Sequence, residues 1–192
     1  MRHIGRHEGR DEEQLAVIQK LEDDIIFRRF APGTRLIEDV LMARYNASRH
    51  YVRQALAQME RQGIAQRVKN VGATVFTFTP EDIEQIFQVF GLLIRHAVHA
   101  IPLPAPASLI AELERLNAIH IDTYESDDIR AMHDSNDAFH CALFSTCTNP
   151  YLHKTLQDYS ALTLPMRAKA ISHEHLRGTY LGHHQEMIRL MA

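Results

Sequence analysis

The sequence predicts a mostly α-helical chain of two domains: a small N-terminal one that closes with a β-hairpin, and a C-terminal antiparallel helical bundle. Three observations carry this. Strand-like runs occur only between residues 64 and 78, while helical apolar spacing recurs from residue 81 onward. The charge divides at the same place: residues 1–80 hold 13 Lys/Arg against 10 Asp/Glu, and residues 81–192 hold 8 against 14. Histidine divides too, with 3 of 13 before residue 81 and 10 after it. A basic first part points to a polyanionic partner, and an acidic, His-rich second part to a metal or small ligand.

Composition sets the class. With 192 residues, 45% apolar and 23% charged, the chain has an ordinary globular balance and room for two small cores. No apolar run approaches the ~20 residues that span a bilayer, and the first turns lack a secretion signal's apolar stretch. The only cysteines are Cys141 and Cys147, which fits a reducing compartment. These features exclude the secreted and membrane classes and predict a cytoplasmic protein.

In chain order, residues 14–28 predict a helix through Ile18, Leu21 and Ile25 at i, i+3, i+7. APGTR (31–35) is a turn, followed by a short helix over 37–45 with Ile37, Val40 and Leu41 on one side. Asn46-Ala47-Ser48 breaks it, Ser48 caps a longer helix, and Gly63 ends that helix. IAQRV (64–68) and ATVFTF (73–78), joined by KNVG, read as a hairpin. Helix, helix, three-residue break, helix and basic hairpin is the order of a winged helix-turn-helix.

TFTPED (77–82) marks the boundary, with Thr79 as cap and Pro80 at the first helical position. This gives a DNA-binding type of domain over 1–79 and a helical domain over 80–192. In the latter, Ile83, Ile86, Phe87, Phe90, Ile94 and Ala97 form a wide stripe predicted to face the core. Leu109, Leu113 and Leu116 mark a second helix over 108–121, and Ser126 is read as the cap of a third over about 127–146. Asn149-Pro150 starts a fourth, which Pro165 is expected to kink or end, and a fifth covers 175–191. Short connections argue for an antiparallel bundle.

Two segments carry chemistry. Between residues 44 and 69 six Lys/Arg face Glu60 alone. In the third helix, Val52, Ala55, Leu56 and Met59 share a core face, and Arg49 and Arg53 lie opposite with Ser48 and His50 at the start. Donor-rich residues at the start of the second helix of a helix-turn-helix are where base edges and phosphates are met, and the planar arginine fork suits both. Lys69 and Asn70 at the hairpin tip would reach a neighbouring groove. A basic helix face alone is common on any surface; here the helix-break-helix and hairpin frame it. The second segment, MHDSNDAFHCAL (132–143), places His133, Asn136 and His140 at i, i+3, i+7, with His183 and His184 on a later helix. Inward imidazoles can bind a divalent metal, although most scattered histidines are surface or satisfied core groups.

The stretch from APGTR to residue 75 resembles the DNA-binding domain of the GntR family of bacterial transcription regulators, through its Pro-Gly turn, L-x-E helix, S-R-x-x-V-R-x-A-L helix and G-x-x-V wing. That resemblance implies DNA contacts at Ser48, Arg49, Arg53 and, near the end of the preceding helix, Arg44, with Lys69 and Asn70 approaching the minor groove. His50-Tyr51 stands where the family usually has Thr-Pro. The second part resembles the FCD effector domain of the FadR-type branch. Asn136-Asp137-Ala138-Phe139-His140, Asn149-Pro150-Tyr151-Leu152 and His184-Gln185-Glu186-Met187-Ile188 match its three motifs.

The second resemblance implies a divalent metal, zinc or nickel, held by Asn136, His140 and His184, and a small carboxylate effector. Asn136 replaces the family's acid, Phe90 and Ile94 replace its R-x-x-x-E pair, and its fourth ligand lies on a last helix beyond residue 192, so the bundle reads as short of one helix. Together these imply a homodimeric repressor that reads a pseudo-palindromic operator, without membrane contact. No G-x-S-x-G, phosphate loop, H-E-x-x-H or paired-cysteine zinc pattern is present. A metal-dependent hydrolase using the His-rich domain is the rival, and a nucleoid protein without sequence preference is a third reading; neither employs both halves of the chain.

Overall fold

The computed structural model describes the backbone of residues 5–126, 128–171 and 174–192, and the side chains of these except 5–11, 125, 170, 171 and 174–181. The chain forms two compact units, residues 1–80 and 81–192. The first contains α1 (Gly5–Ile26), β1 (Arg35–Leu36), α2 (Glu38–Tyr45), α3 (Arg49–Arg61), β2 (Ala65–Val68) and β3 (Gly72–Val75). The second is carried by α4 (Pro80–His99), α5 (Ala107–Glu125), α6 (Ile129–Phe144), α7 (Pro150–Ile171) and α8 (Glu174–Met191). It is a winged helix-turn-helix followed by a helical domain.

α1 begins well before residue 14. Apolar spacing reveals only the packed part of a helix, so the segment ahead of Gln14 gives no signal. That part lays Val17, Leu21 and Ile25 against Val52, Ala55, Leu56 and Met59 of α3. Each end of α3 is fixed by its sequence. The Ser48 hydroxyl accepts from the Tyr51 amide at the start. At the end, Gly63 takes φ +75 while its own amide reaches Glu60 O and the Ile64 amide reaches Met59 O, the paired reverse bonds that close a helix on a left-handed residue. Asn46, at φ 50, ends α2 in the same conformation.

The sheet has three antiparallel strands in the order β1-β3-β2. β3 stops at Val75, short of residue 78, and its free edge pairs with Arg35 and Leu36. A two-residue strand has no alternation to announce it, so β1 is invisible to pattern reading. The hairpin turn places Asn70 at φ 64 and closes through the Val71 amide to Val68 O.

In the second unit α5 packs on α6 and α8, and α7 packs on α6 and α8, so these four helices close a ring. Leu113, Met132, Phe139 and Thr163 are fully buried inside it. Three expectations are corrected. Ser126 does not cap α6: its hydroxyl donates to Thr123 O as the C-cap of α5, and Asp128 caps α6 by accepting from the Ala131 amide. An aspartate side chain is the better acceptor for helix-start amides. Residue 127, where that helix was expected to start, lies outside the described residues.

Pro165 does not end α7, which runs from Pro150 to Ile171. The proline removes one amide donor without ending the helix, and in the turn before it Thr163 donates to Tyr159 O and Ser160 O while Arg167 donates to Ser160 O. The α4 stripe is not a core stripe along its length. Only Ala97 is buried; Phe90 and Ile94 are half-buried against Leu152 and Leu156 of α7, and Phe87 and Leu92 are exposed. The reason is that only the second half of α4 meets its own domain.

Leu113 is 0% exposed at the centre of the helical unit. Leu113→Ala is expected to destabilise that unit by about 2–5 kcal/mol in denaturant unfolding. A loss below about 1 kcal/mol would show that α5 is not seated as described.

Candidate DNA interface and histidine cluster

The outward side of α3 is built from the same residues that seat its inward side. Burying Val52, Ala55, Leu56 and Met59 forces Arg49 and Arg53, one turn apart, toward solvent, where their side chains are 52% and 63% exposed. Ser48 and His50 are exposed beside them, and Lys69 and Asn70 are exposed at the wing tip. Arg67 on β2 is held back by Glu60, 2.9 Å away.

Both α3 arginines meet the first turn of α2. Arg53 Nε donates to both Glu38 oxygens at 3.0 Å. Arg49 Nη2 donates to Asp39 at 2.6 Å, and its Nη1 lies 3.8 Å from Glu38. Sequence reasoning missed these partners, because acids 10 and 15 residues away lie outside any helical spacing rule.

Arg44 is placed differently from the α3 arginines. Its Nε donates to the buried carboxylate of Asp24 on α1, which also accepts from Arg29 and from the Tyr45 hydroxyl, and its guanidinium lies 5.2 Å from the centre of the Phe30 ring. Burial pushes the Asp24 pKa up, but hydrogen bonds from Arg44, Arg29 and Tyr45 outweigh it and hold the carboxyl below its usual value. Burial and the adjacent Asp24 push the Tyr45 hydroxyl well above its usual value. Asp24 therefore ties the C-terminal end of α2 to α1 as an ion.

In the helical unit the ring interior gathers imidazoles from three helices. His184 of α8 stacks on Phe139 with ring centres 3.8 Å apart, and lies 5.3 Å from His140 of α6 and 4.8 Å from His120 of α5. His120 was not singled out by sequence; its spacing to Leu113 and Leu116 on the buried face of α5 was the available signal. Its Nδ1 lies 2.7 Å from Ser135 Oγ, and the Ser135 hydroxyl also meets Met132 O. Burial is the main cause that lowers all three pKa values, to about 4 for His140 and about 3 for His184. The rings are neutral at physiological pH.

Neutral imidazoles have the lone pairs that a divalent ion takes, and the buried Nδ1 of His184 has no hydrogen-bond partner. In donor chemistry the cluster fits a metal. In convergence it falls short: among the described residues no three His, Cys, Asp or Glu side chains are grouped to hold one. Asn136, half-buried on the same helix as His140, is the remaining member of the expected set. His133 points elsewhere, with Nδ1 3.7 Å from Asp134 and Nε2 3.7 Å from Asp137, while Asp137 pairs with Arg167 at 2.8 Å. His183 is exposed.

Comparison with known proteins gives the same division of the chain. The family described as bacterial regulatory proteins, gntR family, matches residues 13–75, and the FCD domain matches residues 85–192. The HTH-type transcriptional regulator YdhC of Bacillus subtilis is 25% identical over 178 residues, spanning 90% of this chain and 78% of its own length. Among solved structures, a GntR transcriptional regulator of Rhodococcus sp. RHA1 superposes with a TM-score of 0.73 at 22% identity, covering 94% of this chain and 86% of that one. McbR/YncC of E. coli reaches 0.72 at 18% identity, with 93% and 85% covered.

Asp24 generates a pH prediction. Its folded pKa lies below the unfolded value, so its ionic contribution is present above about pH 4 and is lost as pH falls through the folded value. Asp24→Asn should cost the N-terminal unit about 2 kcal/mol near neutral pH, with the difference from the unaltered chain shrinking below about pH 4. Denaturant titrations across that range check it; a difference independent of pH would refute the ionic role.

Proposed function

Because the chain belongs to the GntR family of bacterial regulatory proteins and carries an FCD domain, we propose that it is a transcriptional repressor whose operator binding is modulated by a small organic acid. The observation that carries the DNA half is the exposed Arg49 and Arg53 on a helix whose opposite face is locked into the core. A 13-residue helix anchored in this way can enter a major groove without deforming. Ser48, Arg49, His50 and Arg53 then meet bases and phosphates, Lys69 and Asn70 meet the flanking backbone, and Arg44 contributes from the end of α2.

A homodimer follows from the symmetry argument, since two-fold related heads read a pseudo-palindrome. Exposed apolar residues on α4, Phe87, Val89 and Leu92, support it as surface that a second copy would cover. No helix among the described residues is long and apolar enough to cross a membrane. A regulator of this kind acts in the cytoplasm, where the DNA is. Metal-dependent hydrolysis gains no support from the family, whose named relative is a transcriptional regulator.

The effector reading rests on the histidine cluster. His140 and His184, with Asn136, would hold a zinc or nickel ion, and such an ion supplies a positive centre that attracts a carboxylate. The chain's own part is to keep both imidazoles neutral by burial and to orient His184 by its stack on Phe139. Ligand binding shifts the population between DNA-competent and incompetent arrangements only as far as its affinity for the two differs.

Selection of bound duplexes from a random library should enrich a palindromic motif, and Arg49→Ala/Arg53→Ala should abolish the enrichment. On the recovered duplex Arg53→Ala alone should cost about 1–3 kcal/mol, and Lys69→Ala should lower the salt slope by about 1. Absence of any enriched motif would sink the regulator reading. For the metal, elemental analysis of the purified chain should find a divalent ion that His140→Ala removes; a metal-free protein purified without chelator refutes that part.

A further inference from the structure

We propose that the acidic first turn of α2 sets how selectively the recognition helix binds DNA, with Glu38 as a positioning residue for Arg53 and Asp39 as a competitor for Arg49. The inference rests on the DNA-binding reading above and adds two residues to it.

The two arginines are engaged through different atoms. Arg53 uses only Nε, which donates to both oxygens of Glu38 at 3.0 Å. Nothing else among the described residues engages it, so both terminal Nη groups, the fork that grips guanine or two phosphate oxygens, stay open. Glu38 is only 31% exposed and holds the stem of that fork from the neighbouring helix. Arg53 thus meets DNA in a fixed orientation, with less side-chain entropy left to lose. Arg49 is held by the fork itself: Nη2 donates to Asp39 at 2.6 Å and Nη1 lies 3.8 Å from Glu38. A carboxylate there occupies the place a phosphate would take, so DNA must displace it.

Asp39 is 74% exposed, which makes this pair weak and easily exchanged in water. The consequences have opposite signs. A residue that orients a base-reading fork favours the correct sequence, because only there does the orientation find its partner. A residue that competes with phosphate weakens binding to every sequence alike, because phosphates carry no sequence. The short reach of these contacts also explains why the acids do not spoil the basic face as a whole: each is absorbed by an arginine beside it.

The test is fluorescence titration of the full chain with the duplex recovered by selection and with a random duplex of equal length, at two salt concentrations. Glu38→Gln, which keeps shape and removes charge, should lower the ratio of affinities for the two duplexes by about fivefold or more. In an Arg53→Ala background the same change should leave the ratio within about twofold, since the positioned group is gone. Asp39→Asn should raise affinity for both duplexes by about two- to fivefold with the ratio unchanged. Circular dichroism melts control for folding, and a merely structural Glu38 would shift the melt while leaving the ratio alone. Retained discrimination in Glu38→Gln, or no gain in Asp39→Asn, overturns the inference. Absence of discrimination in the unaltered chain overturns the DNA-binding reading itself.

Discussion

One helix with two incompatible faces governs the N-terminal unit. α3 must seat Val52, Ala55, Leu56 and Met59 in a core made by α1 and the sheet, and in doing so it has no choice about where Arg49 and Arg53 point. Everything around it serves to fix that rotation. Ser48 defines where the helix starts, Gly63 where it stops, and Asp24 bolts the end of α2 to α1 through Arg44 and Tyr45. A recognition helix free to roll by one residue would turn its arginines away by about 100°. The core contacts on Leu21 and Met59, both fully buried, are what forbid it.

The helical unit solves a different problem, which is how to keep polar rings in a dry interior. His120 is satisfied by Ser135, and His184 is covered by the face of Phe139, yet its Nδ1 is left without a partner. An orphaned nitrogen in a closed ring of helices costs stability unless something binds it. His140 beside it is kept neutral by burial. α4 carries exposed apolar side chains along its length, from Phe87 and Val89 to Leu92 and Val98.

Much of this was legible in the residues because it is local. Caps and stops within three or four positions of one another, such as Ser48 with Tyr51 or Asn149 with Tyr151 and Leu152, announce themselves. Ser126 reads as the cap of α6, but its hydroxyl meets Thr123 O and it is Asp128 that meets the Ala131 amide, a choice that depends on where the chain turns. The α4 stripe had the right period and the wrong partner, since period shows that a face is apolar but not what covers it. The missing amide of Pro165 is plain in the sequence, but the continuation of α7 through it is visible only in the folded helix. The ion pairs of Arg44, Arg49 and Arg53 span 10 to 20 residues and exist only once α1, α2 and α3 are packed. Recognition of the basic helix survived because it depends on the spacing inside one element.

The claim on which the rest depends is that the outward face of α3 is the surface that meets DNA. Amide hydrogen exchange of the full chain, with and without sonicated double-stranded DNA at low salt, tests it without knowledge of the operator. Added protection concentrated in the first turns of α3 and in the β2–β3 turn at Lys69 and Asn70, with the ring of α5 to α8 unchanged, is the expected result. Protection that appears elsewhere and spares Arg49 to Arg53 would contradict it.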